Sequence, residues 1–224
     1  MPFTDRTDAG RRLAKALANY RDQRPVILAL PRGGVPVAAE IAAALDAPLD
    51  LVLVRKIGVP FQPELAMGAV VDGREPVVVR NEDVIRLAGV SEQEFNATRD
   101  QQLAEIERRR KLYLGDRPHP HITGRVVIVV DDGIATGATT RAALQATRLR
   151  KPSILVLAVP VAPTDTLNKL QDEADAIICL EDYENFEAIG LFYSDFSQVS
   201  DSEVIAILAR RPVEPAAVTL STQA

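Results

Sequence analysis

The stretch VVIVVDDGIATGATTRAAL, residues 126–144, decides the fold. Its first five residues, all valine or isoleucine, run directly into two adjacent carboxylates, Asp131 and Asp132. A loop of small and hydroxyl-bearing residues follows: Gly133, Ile134, Ala135, Thr136, Gly137, Ala138 and Thr139. A helical pattern then opens with Ala142, Ala143 and Leu144. A continuous apolar run bounded by turn residues is a buried parallel strand, and the loop leads from it into a helix. The first N–H groups of that helix have no intrahelical partner, and the helix dipole adds positive potential, so the loop is suited to an anion. Thr136 and Thr139 add hydroxyl donors, and Gly137 lets the backbone come close. Asp131 and Asp132 repel an anion, so they face something hydroxylated or cationic beside it. A phosphate next to a diol and a metal is a ribose 5-phosphate.

This arrangement resembles the phosphoribosyl-pyrophosphate (PRPP) motif of type I phosphoribosyltransferases: a hydrophobic strand, two acidic residues and a loop ending in Thr-Gly-x-Thr. The resemblance implies an α/β fold with a doubly wound, mostly parallel sheet, an inserted hairpin plus long helix, and a small C-terminal hood. It extends to uncharacterised bacterial members with a similarly large insertion. One departure is Gly133, where the family has an aliphatic residue. An ordinary strand-to-helix turn would need one capping residue rather than the whole set. A phosphoacceptor pocket built on paired aspartates would leave the Thr-Gly-x-Thr loop unexplained.

Composition sets the outer limits. The chain has 224 residues, 47% hydrophobic, enough for one full core. The net charge of −5 argues against general nucleic-acid binding, which needs a basic surface. No apolar run is long enough to span a bilayer, and the first residues lack the apolar stretch of a signal peptide. The single Cys179 cannot form an internal disulfide, which fits a reducing cytoplasm, and its AIICL surroundings mark it as a small core residue.

Along the chain, residues 5–21 form an amphipathic helix with Leu13, Leu17 and Tyr20 at helical spacing. Strands are expected at 26–30, 49–56, 153–161 and 176–180, with helices at 35–45 and 164–173. Residues 57–124 are an insertion: a hairpin turning at Asp72-Gly73, then a polar helix to about residue 114, opened by the capping box of Ser91 and Glu94. The run from Arg108 to Lys111 is expected to be a solvated face balanced by glutamates. We expect one domain over 1–210, with a hood at about 181–200 and a loose Pro/Ala/Thr-rich tail at 211–224.

Pro31-Arg32-Gly33-Gly34 follows the first strand at the carboxyl edge of the sheet. A helix start, two glycines and a guanidinium suit a second anion. The resemblance implies that this is the pyrophosphate loop, with a cis peptide between Pro31 and Arg32. It also assigns pyrophosphate to Arg32, Gly33, Gly34, Arg55 and Lys56. The 5-phosphate falls to Gly133, Ala135, Thr136, Gly137, Ala138 and Thr139. By the same resemblance Asp131, Asp132 and Arg32 carry catalysis, the two acids binding ribose hydroxyls directly or through magnesium-bound water. Mg2+ is then held mainly by substrate oxygens. His119 and His121 lack a third ligand and belong to a Pro-rich linker.

The 6-oxopurine enzymes of this family place an aspartate at the position of Ala135, which argues against hypoxanthine or guanine as acceptor. Aromatics after the last strand, Phe186 and Tyr193 among them, form the hood over the acceptor, where packing competes with base stacking as their role. Glu64 and Met67 are candidates for a closing lid. The expected partners are PRPP and a small nitrogenous acceptor, with no nucleic acid or membrane and with a homodimer left open. Two rivals stand beside the transferase: a PRPP-binding regulator without turnover, and an enzyme using the same loop on another sugar phosphate.

Overall fold

A computed structural model describes residues 3–73 and 76–210. Helix α1 (Arg6–Ala16) is opened by Asp5, whose carboxylate accepts from the Asp8 N–H at 2.7 Å, and a 3-10 turn (Ala18–Gln23) follows. The chain continues through β1 (Val26–Ala29), α2 (Gly34–Leu45) and β2 (Leu49–Leu51). The insertion holds β3 (Val54–Val59), β4 (Gln62–Val71), β5 (Val77–Arg80), α3 (Glu82–Ala88) and α4 (Glu92–Leu114). Then come β6 (Val126–Val130), α5 (Ala138–Leu149), β7 (Ile154–Pro163), α6 (Thr164–Leu170), β8 (Ala176–Tyr183) and α7 (Asp201–Ala209).

The central sheet is parallel throughout, in the order β2-β1-β6-β7-β8. Side chains alternate across it, as the two-residue period of a strand requires. Ile27, Ala29, Ile128 and Val130 enter the core beneath α1, α2, α4 and α7. Val26, Leu28, Val127 and Val129 enter the core beneath α5. Both faces are therefore dry, which explains why these strands are unbroken apolar runs. From β1 the chain steps outward to β2, and from β6 it winds the other way to β7 and β8. The order reverses between β1 and β6, so the carboxyl ends of those two strands flank the crevice where such sheets bind ligands.

The insertion departs from expectation in two respects, one being α3, a helix with no counterpart among the expected elements. The strand expected over 49–56 is two strands in different sheets: β2 stays beside β1, while β3 pairs antiparallel with β4 in a separate sheet ordered β3-β4-β5. Val52 and Leu53, both buried, carry the chain between them. An apolar run reports burial but not a change of hydrogen-bonding partner, so nothing local marks the break. The hairpin of β4 and β5 forms as expected, and the capping box of Ser91 and Glu94 opens α4. The Arg108 to Lys111 run is paired with Glu105 and Glu107 on the same helix.

At the other end, Phe3 pairs with Tyr193 and donates its N–H to the Phe192 carbonyl at 2.7 Å. The hood is thus built partly by the beginning of the chain. Helix α7, opened by a capping box of Ser200 and Glu203, follows the hood and has no counterpart among the expected elements. The expected tail, 211–224, lies outside the described residues. Among the described residues no helix is long and apolar enough to cross a membrane.

Candidate active site

The loop after β6 ends in an open helix terminus. Gly137, at φ 75°, is the N-cap of α5, and no side chain hydrogen-bonds the helix's first N–H groups. Ala135, Thr136, Ala138 and Thr139 are exposed around it. Gly137 is required twice over, because its φ is left-handed and a β-carbon there would stand 2.8 Å from Cγ2 of Thr166. The loop is pinned from outside: Thr166 Oγ1 donates to the Ala135 carbonyl at 3.1 Å, and the Ile134 N–H donates to the Val161 carbonyl at 3.0 Å. The departure at Gly133 has a structural reason. A β-carbon there would meet Cγ2 of Ile189, from the hood, at 2.5 Å, so the hood occupies the space of a side chain.

The neighbouring loop after β1 carries the cis Pro31–Arg32 peptide bond, as the resemblance implied. Gly33 and Gly34 are there for closeness. A β-carbon on Gly33 would fall on the carboxylate of Asp132, and one on Gly34 would stand 2.7 Å from the Val130 carbonyl oxygen. Arg32 reaches Asp201 at the start of α7, Nη1 to Oδ1 being 3.5 Å. The same oxygen accepts the Tyr113 hydroxyl of α4 at 2.6 Å. Burial and that hydrogen bond push the Tyr113 hydroxyl up to about 12.

The two acids are not equivalent. Asp131 is half-buried, and its Oδ1 accepts the N–H of Asp132 at 2.9 Å. Burial, and next the charge of Asp132, push its pKa well above the ordinary carboxylate value. Asp132 is only 8% exposed. Its Oδ2 accepts from Nε of Arg6 at 2.7 Å, and its carbonyl accepts the Tyr193 hydroxyl at 2.6 Å. Arg6 also donates from Nη1 to the Ser197 carbonyl at 2.7 Å and lies 3.9 Å from the centre of the Phe196 ring.

The remaining expected residues are divided. Arg55 and Lys56 lie on β3, away from the parallel sheet's edge, and point to opposite sides of it. Arg55 donates to Gln102 of α4 at 3.0 Å. Lys56 pairs with Glu64 at 3.1 Å and lines a cleft of about 200 Å³ with Arg80, Arg141 and Thr139, so only Lys56 is brought to the start of α5. Tyr193 is buried, its hydroxyl committed to Asp132, while Phe186 is half-buried and stacks on Phe192 at 5.0 Å. Met67, a residue of β4, is fully buried, so it belongs to the core rather than to a lid. His119 is anchored, its Nδ1 lying 2.7 Å from Oδ2 of buried Asp50. Burial pushes the Cys179 thiol up to about 11, which removes it as a nucleophile.

Sequence reasoning missed Arg6, Asp201 and Tyr113. Arg6 alone left a signal: a cation in the first turn of a helix opposes the dipole and calls for a partner. As for a metal, the described residues contain no group of three or more His, Cys, Asp or Glu side chains placed to hold one. The half-buried carboxylate of Asp131 suits a magnesium ion whose other ligands are substrate oxygens and water.

Known proteins place this geometry. A crystal structure of TT1426 from Thermus thermophilus superposes with a TM-score of 0.83 at 40% identity, covering 95% of this chain and all of that one. Two Mycobacterium tuberculosis sequences, from strains CDC 1551 and H37Rv and both named "Putative phosphoribosyl transferase", are 47% identical over 208 residues. That is 93% of this chain and 46% of theirs, so the chain spans less than half the length of those relatives. Residues 4–197 match the phosphoribosyl transferase domain, from the start of α1 through the acidic loop to the hood, and the chain therefore belongs to the type I phosphoribosyltransferase family.

Proposed function

We propose that the protein transfers the 5-phosphoribosyl group of PRPP to a nitrogen acceptor, a nucleobase-like compound, with release of pyrophosphate and with magnesium. The observation that carries this reading is the uncapped, exposed start of α5 beside an acidic pair and Arg32, all at the switch point of the sheet. In this reading the amides and hydroxyls of residues 136–139 hold the 5-phosphate, and the acidic pair meets the ribose hydroxyls. Arg32 and the Gly33 amide hold the pyrophosphate, the Gly34 N–H being given to the Leu30 carbonyl at 3.0 Å, with Lys56 reaching in from the insertion. The C1–oxygen bond to pyrophosphate breaks with its electron pair leaving on that oxygen, a C1–nitrogen bond forms, and the acceptor nitrogen loses its proton to solvent. Such a reaction depends on positioning and on charge already in place. Magnesium, when bound, neutralises the leaving group's charge. The neutral Ala135 supports an acceptor that does not need a carboxylate at that point.

Mixing PRPP and magnesium with a panel of nucleobases and small nitrogen compounds, and following pyrophosphate release, tests the reading. Release that depends on one class of acceptor is the expected result. PRPP binding without release across the whole panel would put a regulator in the enzyme's place, and no binding at all would overturn both.

A further inference from the structure

We propose that Arg6 is a positioning residue of this site: it locks Asp132 to the hood and against the pyrophosphate loop, and so fixes the acidic pair for the ligand. Three observations converge. The Arg6–Asp132 contact is enclosed, the two side chains being 11% and 12% exposed. An ion pair so sheltered is weakly screened, and removing one partner leaves the other charge buried and alone. Asp132 is also held at its carbonyl by Tyr193 and pressed on Gly33, where no side chain fits. Arg6, finally, touches two parts of the chain at once: the acidic loop through Asp132, and the hood through the Ser197 carbonyl and the Phe196 ring.

An arginine rather than a lysine suits this place. Its planar fork serves Asp132 from Nε and Ser197 from Nη1 while one face lies on a ring. With its Oδ2 taken by Arg6 and lying against Gly33, Asp132 acts as a strut between the two loops. Asp131, half-buried and with one oxygen on the Asp132 N–H, is left to receive hydroxyl donors. The acid pair is thus held in one arrangement before the ligand arrives. This inference rests on the transferase reading and deepens it.

The test measures PRPP binding with magnesium by calorimetry, and kcat and KM separately, for the wild type and for Arg6→Ala, Arg6→Lys, Asp131→Asn, Asp132→Asn and the double variant Arg6→Ala/Asp132→Asn. Thermal unfolding is recorded for each. Loss of a charge-assisted contact predicts PRPP binding about 10- to 100-fold weaker in Arg6→Ala. Arg6→Lys should recover part of that loss, and the double variant should bind no worse than the worse of the two single changes. Should Arg6→Ala not fold, the double variant, which leaves no lone buried charge, is compared with Asp132→Asn instead, and equal affinities are expected. A lowered unfolding temperature with unchanged Kd and KM would make the pair purely structural and overturn the proposal, as would additive losses. A wild type that binds no PRPP overturns the transferase reading and this inference with it; wild-type binding with a flat Arg6 series overturns this inference alone.

Discussion

The loops after β1 and β6 are neighbours built to opposite ends. The start of α2 is pressed into the protein: a β-carbon on Gly34 would meet the Val130 carbonyl, and one on Gly33 would meet the Asp132 carboxylate. The start of α5 is open, with Thr136, Ala138 and Thr139 exposed and no side chain capping the helix. The Gly34 N–H is already given to the Leu30 carbonyl, so the first loop leaves little open beyond the Gly33 amide and Arg32. The second loop gives up a cap worth about 1 kcal/mol, and an anion can supply what the cap would have satisfied. Of two similar strand-to-helix turns, then, one is closed by packing and the other is left open.

The largest effect expected from breaking this contrast is chemical. Changing Asp131 and Asp132 together to Asn should lower kcat/KM for PRPP by about 10²- to 10³-fold, the cost of losing a preorganised electrostatic group. Unchanged kinetics would remove the acids from the site. Next, Thr136→Ala with Thr139→Ala should weaken PRPP binding about 10- to 100-fold, since each hydroxyl would donate to a charged phosphate. Both side chains are exposed, so the unfolding temperature should stay put; a drop would mean that the open loop is structural after all. Gly34→Ala should act the other way round. Its added methyl meets backbone that cannot yield, and overpacking of this kind costs about 1–3 kcal/mol, visible as a lowered unfolding temperature before any change in phosphate affinity.

The smallest effect lies outside both loops and serves as their control. The hydrogen bond to Asp50 raises the pKa of His119, with burial opposing it. A raised pKa in the folded state means that the protonated ring is favoured by folding. Its contribution to stability is therefore complete below about pH 6.5, the unfolded value, and is lost as pH rises through the higher folded value. Urea unfolding at several pH values should show that decline in the wild type and lack it in His119→Gln, while PRPP affinity stays the same in both.

Much of this was legible in the chain itself. Residues 126–139 announced strand, acids, loop and helix in one unbroken local pattern, and the structure returns each in that order. The capping box at Ser91 marked the start of α4 to the residue. The hairpin was legible too, but its third strand was not. Val52 and Leu53 are buried whichever sheet follows them, so hydropathy could not report that Arg55 and Lys56 had left the parallel sheet. Likewise, the aromatics of the hood could be counted from sequence, yet nothing local said that Tyr193 would spend its hydroxyl on the Asp132 backbone.

Local sequence sets the parallel core, the place of the two loops and the open helix terminus at α5, because each follows from residues within a few positions of one another. How the charges are held follows from packing instead. Arg6 meets Asp132 across 126 residues, Arg32 meets Asp201 across 169, and Tyr193 meets Asp132 across 61. Side chains on the surfaces of separate elements find partners only after those elements have packed, and in this fold that packing brings α1, the hood and α7 around the carboxyl ends of β1 and β6.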